Sequence, residues 1–522
     1  MAERAQPLTG TVAAGLLAAA AIPALILVTG GAVLTKATGA SGLGPGDWAA
    51  IRFTLLQAAL SALFSVALAV PVARALARRR FAGRSLLVAL LGAPFLLPTI
   101  VAIFGLLAIF GRGGVLNAGL VALGFEPVSI YGLWGVVLAH VFFNLPLATR
   151  LFLQGWLDVP SERLRLAASL GMGPGAIFRH IELPMLARTA PGALLVIFVI
   201  STTSFAVALT LGGGPRATTV ELAIYQAVSF EFDLGRAALL SAIQLGLTGA
   251  AALFALSFVG HAGFGAGLDR PTRRWDGKGA MTRTADSVAI CLAALFLILP
   301  LAAVLIAGLP ALISLPDVVW WSAIRSLGVA AASTLLVVAL TLAMARAAVR
   351  RRSLARPIEG AALLAIAASP LVLGTGLFIL VFPFADPTRL ALPVTALVNA
   401  IVTVPFALRA VLPAWQKIEA DHGRLAASLG LKGWARLRLV ELPRLARPLG
   451  FSAGVAAALS MGDLGVIALF ADSDTATLPL QVYRLMGAYR MEDAAGAALL
   501  LMLVSFALFW LFDRGGRVDA DA

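Results

Sequence analysis

The chain has 522 residues, of which 60% are hydrophobic and 13% are charged, and it carries a formal net charge of +14. Because an ordinary soluble domain contains about 25% charged residues, this composition excludes a water-soluble globular protein. Lipid offers no hydrogen-bond partners to the backbone, so the long apolar blocks of the chain must be helical. We therefore expect an all-α polytopic membrane protein.

In chain order, the apolar blocks predict about 12 transmembrane helices in two sets of six. The first block exceeds the usual apolar core of a signal peptide, so we interpret it as a retained span. The first set lies near 11–34, 50–73, 86–110, 131–153, 189–211 and 236–260. The second set lies near 286–309, 322–345, 358–384, 390–412, 448–471 and 494–512.

These spans divide the chain into a first half over 1–260, a basic cytoplasmic linker over 261–285 and a second half over 286–522. With both termini in the cytoplasm, most of the 40 Lys and Arg residues fall in cytoplasmic segments, as the positive-inside rule requires. The basic clusters, including 78–80 and 350–352, lie in short loops beside spans. We interpret them as topology signals and expect no nucleic-acid partner.

An internal repeat relates the two halves. Residues 166–171 read LAASLG, and the same six letters recur at 425–430, 259 positions later. The same offset relates IELP at 181–184 to VELP at 440–443. Six spans in each half is an even number, so the repeats are parallel and are related by an axis along the membrane normal.

The repeated sequences lie in two predicted cytoplasmic loops, 154–188 and 413–447, which we call the first and second elbow. Each elbow is too polar to span a membrane, and a short helix is predicted near 161–170 and near 421–429. The spacing allows two interpretations. The paired helices either dock on a partner with twofold symmetry or lie in the lipid interface.

Glycines mark the turn within each elbow. Gly171 and Gly430 are expected to adopt the left-handed conformation that ends a helix. A second short helix is predicted to start near Pro174 in the first elbow and near Gly433 in the second. The apolar face of the first helix is predicted to consist of Leu164, Ala167, Ala168 and Leu170.

At this point the elbows resemble the EAA motif of importer-type ABC transporter permeases. That motif places a Gly four residues after a Glu-Ala-Ala triplet and Ile-x-Leu-Pro ten residues beyond the Gly, and both elbows hold this spacing around Gly171 and Gly430. The Glu and the first Ala are replaced by Arg-Leu at 165–166 and at 424–425. The resemblance covers nearly the whole chain and implies the fold of a fused permease with two halves.

Within that group, the chain looks most like the thiamine and thiamine pyrophosphate permeases. The residues that carry this resemblance read LGGGP at 211–215, ATTVELAIYQ at 217–226 and FDLGRAAL at 232–239. The substrate implied is thiamine or its phosphates. A permease for ferric iron or for a polyamine is the alternative within the same class.

The resemblance also implies partners in a bacterial inner membrane. Two copies of a cytoplasmic ABC ATPase would grip the two elbows, and a periplasmic binding protein would deliver the substrate. The chain has no G-x-x-x-x-G-K-[ST] loop, so ATP and Mg²⁺ are expected on the ATPase, with no cofactor and no catalytic residue in this chain. The residues assigned to ATPase coupling are Arg165, Ala167, Ala168, Gly171, Glu182, Pro184, Arg424, Ala426, Ala427, Gly430, Glu441 and Pro443.

The two elbow glutamates have two open interpretations. Glu182 and Glu441 either reach basic groups on the ATPase or pair with a nearby arginine to steady the elbow. The arginines considered for this pairing are Arg179 in the first elbow, and Arg438 or Arg444 in the second.

Polar residues inside spans are candidates for the substrate path, because charge in the membrane is expensive. Asp463 is a candidate contact for the thiazolium cation, or else it caps a broken helix or pairs with an arginine. Asn144 is a second candidate, although an interhelical hydrogen bond is its alternative. The predicted path residues are Asp463, Ser460, Ser204, Thr203, Asn144, Glu221 and Tyr225. The four histidines have no ligand spacing, so no metal site is expected.

Two other function classes fit the pattern less well. An ion-coupled secondary transporter also has two parallel halves, but it does not need duplicated elbows. An intramembrane enzyme would need a nucleophile, a carboxylate pair or a metal cluster in its spans, and the sequence offers no such pattern.

Overall fold

A computed structural model describes residues 10–39, 42–256 and 279–518. Within these ranges the chain is helical and contains no β-strand. Eleven of the helices described there are long and apolar enough to cross a membrane, and one bent helix pair brings the number of spans to as many as 12. The predicted all-α polytopic fold is confirmed.

The first half consists of 13 α-helices within the described residues. They are α1 (Gly10–Ala37), α2 (Pro45–Arg78), α3 (Arg84–Leu90), α4 (Ala93–Leu96), α5 (Thr99–Phe110), α6 (Val115–Ala122), α7 (Leu133–Leu157), α8 (Ser161–Ser169), α9 (Pro174–Ile177), α10 (Leu183–Thr202), α11 (Phe205–Leu211), α12 (Val220–Ser229) and α13 (Leu234–Leu256).

The second half follows the same plan. Its helices are α14 (Ala280–Ala311), α15 (Asp317–Arg350), α16 (Ala355–Ala367), α17 (Pro370–Val381), α18 (Ala391–Ser428), α19 (Gly433–Arg436), α20 (Leu442–Met461), α21 (Gly465–Phe470), α22 (Leu478–Gly487) and α23 (Met491–Val518). The predicted linker, 261–285, lies outside the described residues up to 278, and α14 begins at Ala280, before the predicted start of the second half.

Helices of equal length occupy corresponding places in the two halves. The helices α2 and α15 each have 34 residues, and α10 and α20 each have 20. A π-helical turn precedes α10 at Phe178–Glu182 and precedes α20 at Leu437–Glu441. The repeat seen in the sequence is therefore also a repeat of backbone structure.

Four of the predicted spans are broken near their middle, which the apolar pattern did not indicate. The third span, predicted over 86–110, is interrupted before α5, whose N-cap is Pro98. Proline has no N–H and disfavours a helical residue before it, which favours a break at this point, although α2 and α7 continue through Pro71 and Pro146. The ninth span bends by 83° between α16 and α17. The fifth and eleventh spans are interrupted before α11 and before α21.

The first helix of each half packs against the other half. Helix α1 contacts α15 and α17, and α14 contacts α5 and α2. Two glycines permit this close approach. A Cβ on Gly376 of α17 would lie 2.6 Å from Thr29 Cβ of α1, and one on Gly105 of α5 would lie 2.4 Å from the backbone oxygen of Pro300 of α14. The two halves are therefore interlocked.

Candidate functional site

The elbows lie at one end of the helical bundle, which we call the elbow end. Gly171 has a φ of 65° and Gly430 has a φ of 67°, so both adopt the predicted left-handed conformation. The predicted second helices are the short α9 and α19. The turn therefore has the same backbone conformation in both elbows.

The two elbows differ in how they join the preceding span. In the first elbow α8 is separated from α7, whereas in the second the corresponding residues continue α18 to Ser428 without a break. The cause is one position in the repeat, where Pro160 stands in the first copy and Glu419 in the second. At about 1.5 Å per residue, the 38 residues of α18 span about 57 Å, well beyond the hydrocarbon core of about 30 Å.

Each elbow exposes a pair of leucines. The apolar face predicted for the first elbow is therefore only partly correct. Leu164 and Ala167 are buried, as predicted, but Ala168 and Leu170 point outward. Leu166 and Leu170 are 61% and 68% exposed, and their repeat partners Leu425 and Leu429 are 58% and 65% exposed. Residues four apart lie on one face of a helix, so each elbow presents an apolar ridge.

The residues assigned to ATPase coupling separate into an exposed and a buried group. The exposed group consists of Arg165, Ala168, Gly171, Pro184, Arg424, Ala427, Gly430 and Pro443. The buried group consists of Ala167, Glu182, Ala426 and Glu441. Only the first group is placed to touch another protein.

An acidic residue begins the exposed elbow helix α8. Glu162 accepts hydrogen bonds from its own backbone N–H and from the Ser161 hydroxyl, and these lower the pKa of its carboxyl group. The carboxylate is therefore ionised at neutral pH and suits the positive end of the helix dipole. Asp158, which lies before this helix, accepts a hydrogen bond from Gln154 at 2.9 Å.

Glu182 is held inside the chain. Its Oε2 lies 2.7 Å from Arg74 Nε, and its Oε1 lies 3.9 Å from Arg78 Nη2. The indole of Trp156 also donates to Oε1 at 3.1 Å. The predicted partner Arg179 is wrong, because helix packing brings α2 against this turn. A carboxylate that is 1% exposed cannot reach basic groups on another protein.

Glu441 is also buried, but its partner comes from its own elbow. Arg436 Nε lies 2.9 Å from Glu441 Oε1, and the same guanidinium pairs with Glu419. Neither Arg438 nor Arg444 takes the predicted role, and Arg444 donates to the backbone oxygen of Val440 at 3.3 Å. The ion pairs of the second elbow are therefore local, and Arg346 of α15 adds a hydrogen bond to the backbone oxygen of Gly433 at 3.3 Å.

The arginines interpreted as topology signals also make structural contacts. Arg78 lies 3.8 Å from Asp286 Oδ1, and Arg79 Nε lies 2.7 Å from Asp286 Oδ2. Asp286 belongs to α14 in the second half. The first elbow is consequently linked through α2 to both halves.

The helix breaks meet in the interior of the bundle. A Cβ on Gly462, before α21, would lie 3.2 Å from Pro98 Cα at the break before α5. Ser369, at the break before α17, donates a hydrogen bond to Glu221 of α12. A Cβ on Gly465 would lie 3.7 Å from Phe205, the first residue of α11. All four interrupted spans thus contribute to one region, which we call the break centre.

Asp463 lies at the break before α21, whose N-cap is Leu464. The backbone N–H groups of Gly465, Val466 and Ile467 lie near its carboxylate. Its Oδ2 is buried without a hydrogen-bond partner in the described part of the chain. Asp463 therefore lies at a helix break, although no side-chain hydrogen bond caps α21 among the described residues, and its Oδ2 is a free acceptor in the break centre. Its repeat partner Ser204 immediately precedes α11.

Polar side chains satisfy the backbone freed at the break before α11. Gln57 donates to the backbone oxygen of Ser201 at 2.8 Å, and Gln244 donates to that of Thr202 at 2.9 Å. Thr203, in turn, bonds to the preceding turn of α10. In a membrane, the backbone groups freed at a helix break need hydrogen-bond partners from neighbouring helices. Gln57 and Gln244 supply these partners.

Two asparagines join spans at repeat-related serines. Asn144 Nδ2 lies 3.4 Å from Ser201 Oγ, and Asn399 Nδ2 lies 3.2 Å from Ser460 Oγ. All four residues are buried. For Asn144 and Ser460, the structure therefore provides an interhelical contact, while their role in the path stays a prediction.

A cavity of about 220 Å³ opens at the end opposite the elbows. The start of α7 and the end of α11 lie at that end, where Gly132 N donates a hydrogen bond to Leu211 O. The cavity is lined by Tyr225 and Tyr483 among others. Tyr225 was predicted, but Tyr483 was missed, because the offset of 259 leads from Tyr225 to Arg484, whereas α12 and α22 begin 258 positions apart. Glu221 is buried beside the break centre and does not line the cavity.

Comparison with known proteins adds full-length relatives. No family model matches the chain. A protein of Brucella abortus (strain 2308) named thiamine transport system permease protein ThiP is 41% identical over 535 residues, covering 99% of this chain and 97% of that protein. Proteins with the same name from Escherichia coli (strain K12) and Haemophilus influenzae are 40% identical over 486 residues and 34% identical over 474. They cover 91% and 88% of this chain, and 90% and 87% of their own lengths.

Proposed function

The chain belongs to the thiamine transport system permeases of the ABC importers, and we propose that two external ATPases drive it through its elbows. It is the membrane-spanning permease subunit of a thiamine importer. We further propose which residues contact the ATPases, which residues line the substrate path, and which partners complete the complex.

The observation that carries the coupling proposal is the apolar ridge on each elbow. Leu166 and Leu170 in the first elbow, and Leu425 and Leu429 in the second, are exposed at equivalent positions. Exposed apolar patches rimmed by polar residues mark protein interaction sites. Two equivalent ridges suit two copies of one ATPase, and Arg165 and Arg424 flank the ridges as polar contacts.

The elbows then transmit movement through their buried charges. Glu182 carries the movement of the first elbow to Arg74 and Arg78 at the end of α2. Glu441 holds the second elbow rigid through Arg436. Because α10 and α20 follow these turns directly, a shift of each elbow moves the helix that leads to the break centre.

The chemistry of ATP hydrolysis belongs to the ATPase. ATP and Mg²⁺ bind there, and this chain supplies no catalytic group and no cofactor site. A periplasmic binding protein delivers thiamine to the end of the bundle that carries the cavity. We place the chain in the bacterial inner membrane with both termini and both elbows in the cytoplasm, following the distribution of its basic residues.

The substrate path runs through the break centre. Broken helices with exposed backbone ends at the bilayer midplane commonly form transporter binding sites. The free acceptor of Asp463 is suited to a cation, and Ser204 and Thr203 lie at the equivalent place in the first half. Asn144, Ser460 and Glu221 surround these breaks and keep their predicted roles as path residues.

Uptake by the reconstituted complex tests the function. Proteoliposomes containing the chain and its ATPase, supplied with the binding protein, should accumulate labelled thiamine only with ATP inside. Accumulation of ferric iron or a polyamine in place of thiamine would overturn the substrate. Uptake driven by an ion gradient without ATP would instead favour a secondary transporter.

Association with the ATPase tests the ridges. Leu166→Glu combined with Leu425→Glu should abolish co-purification of the ATPase, because a carboxylate replaces the apolar contact on each elbow. Leu123→Glu is the matched control, since Leu123 is 74% exposed but lies at the opposite end. Unchanged co-purification with loss of membrane insertion would favour the lipid-interface interpretation of the elbows.

A further inference from the structure

We propose that Tyr225 and Tyr483 form an aromatic clamp that binds the thiazolium cation in the cavity opposite the elbows. This inference rests on the proposed function and deepens it, because it identifies which residues recognise the substrate's charge. The two tyrosines come from different halves of the chain and line the same cavity.

The repeat places the two tyrosines as equivalents. Tyr225 lies in α12 and Tyr483 in α22, two helices of 10 residues each. The chain contains only four tyrosines. Two of these four therefore occupy the same position in the repeat and face one space, which indicates a site built by both halves.

Equivalent hydroxyl groups hold the two short helices in place. Thr54 Oγ1 accepts a hydrogen bond from Val220 N at 2.9 Å, and Ser326 Oγ accepts one from Leu478 N at 2.8 Å. These bonds tie the first residue of α12 to α2 and the first residue of α22 to α15. Because both bonds are buried, the clamp residues stand on rigid elements rather than on free loops.

Aromatic neighbours orient the ring of Tyr225. It makes edge contacts with Phe205 at 5.2 Å and with Phe230 at 5.6 Å between ring centroids. Phe205 is the first residue of α11, so the clamp adjoins the break centre. Movement of that break would shift the Tyr225 ring and change the width of the clamp.

The lining of the cavity favours an aromatic cation over a metal ion or a polyamine. Its polar side chains, besides the two tyrosines, are Thr218 and Gln226, and no carboxylate is among the lining residues in the described part of the chain. A hard metal ion needs several oxygen ligands with negative charge. A delocalised cation instead binds the electron-rich face of an aromatic ring, worth up to about 2 kcal/mol when desolvated.

One basic residue lies near the clamp without lining it. Arg484 is close enough to Tyr225 for an electrostatic interaction. Its guanidinium, however, donates a hydrogen bond to the backbone oxygen of Asp472 at 2.9 Å. Arg484 is therefore directed toward the loop after α21. It leaves the ring faces as the groups available to a cation.

Equilibrium binding of small molecules to the permease–ATPase complex tests the clamp. The complex is placed in lipid nanodiscs, and the binding protein is left out. The probes are thiamine, pyrithiamine and thiochrome. Pyrithiamine carries another aromatic cation in place of the thiazolium, and thiochrome is the neutral oxidised form of thiamine. Wild type should bind both cations and should bind thiochrome at least about tenfold more weakly. Equal affinity for thiochrome and thiamine, or no saturable binding by a complex that imports thiamine, would overturn the clamp.

Substitutions locate the site. Tyr225→Leu and Tyr483→Leu should each weaken thiamine binding about three- to thirtyfold, while the corresponding Phe variants should stay within about twofold. Tyr489→Leu is the matched control, because Tyr489 is 90% exposed and lies outside the cavity. Wild-type affinity in both Leu variants would overturn the clamp but leave the proposed function standing. A wild-type complex that imports no thiamine would overturn the proposed function itself.

Discussion

Arg79 Nε lies 2.7 Å from Asp286 Oδ2 and thereby joins the end of α2 in the first half to α14 in the second. Arg78, next to it, lies within 4 Å of both Asp286 and Glu182, at 3.8 and 3.9 Å. The first elbow is thus connected by charge to both halves, whereas Arg436 braces the second elbow locally. The two elbows share the LAASLG repeat but form different ion pairs, so they are expected to respond differently to the same movement of the ATPases.

The first prediction concerns Glu182. Glu182→Gln should lower the number of thiamine molecules imported per ATP hydrolysed, because the first elbow loses its ionic contact with α2. Removing one partner of a buried ion pair costs about 3–5 kcal/mol, so the melting temperature of the purified chain should also fall. Uptake and ATP hydrolysis measured on the same proteoliposomes check the ratio.

Glu162→Gln serves as the control for that variant. Glu162 is exposed on the same elbow, so its substitution should leave both the melting temperature and the ratio near wild type. If Glu182→Gln behaved like this control, the buried pair would have no part in coupling.

The second prediction concerns the link between the halves. Asp286→Asn should destabilise the chain and reduce uptake, because Arg79 loses its ion-pair partner and Arg78 loses one of its carboxylate partners. Thermal unfolding monitored by size-exclusion chromatography reports the stability. Glu359→Gln, on an exposed residue of α16, should have little effect, and an equal shift in both variants would contradict the link.

The third prediction concerns the elbow turns. Gly171→Val with Gly430→Val should leave membrane insertion intact but uncouple ATP hydrolysis from uptake, because a β-branched residue is strained at a φ near 65°. Gly173→Ala is the control, since Gly173 has a φ of −74° and open space around its Cα. Normal coupled uptake in the double variant would refute the assignment of the elbows.

The fourth prediction concerns the interlocked helices. Gly376→Leu or Gly105→Leu should greatly reduce the folded yield, because a side chain would collide with α1 or α14 at 2.6 or 2.4 Å. Overpacking typically costs about 1–3 kcal/mol. Gly328→Leu, at a glycine of α15 with nothing within 4 Å, should fold normally. Equal yields for all three would mean that the close approach does not stabilise the chain.

The fifth prediction concerns Asp463. Asp463→Asn should keep α21 folded, because no side-chain hydrogen bond from the described residues caps this helix, and yet lower thiamine uptake at least about tenfold by removing the charge. Asp463→Ala should lower uptake to the same extent. Uptake and affinity equal to wild type in the folded Asn variant would end the proposed contact with the cation.

The sequence was informative where a feature depends on neighbours along the chain. Apolar block length placed most spans, and the repeat of LAASLG located both elbows and both left-handed glycines. It did not identify the break in the fifth span, because that segment remains apolar on both sides, and it gave a break at Asp463 in the eleventh span only as an alternative. It also placed Leu170 on the buried face, since a helical period alone does not say which stripe meets the bundle.

The partners of the buried charges were not predictable from spacing. Glu182 pairs with Arg74, more than 100 positions away, although Arg179 is close to it in the chain. Helix packing decides such pairs, because a buried carboxylate takes whichever cation the neighbouring helix brings within reach. Glu441 found a local partner only because Arg436 lies on the turn beneath it.

The sequence by itself determined a helical membrane protein with two parallel halves and two equivalent elbows, because lipid imposes apolar length and duplication preserves local motifs. The tertiary structure alone decided that α1 and α14 each pack against the other half, that four breaks meet, and that Tyr225 and Tyr483 share one cavity. These relationships depend on which helix faces approach in three dimensions. That approach is set by close packing at glycines such as Gly105 and Gly376, whose role only their neighbours reveal.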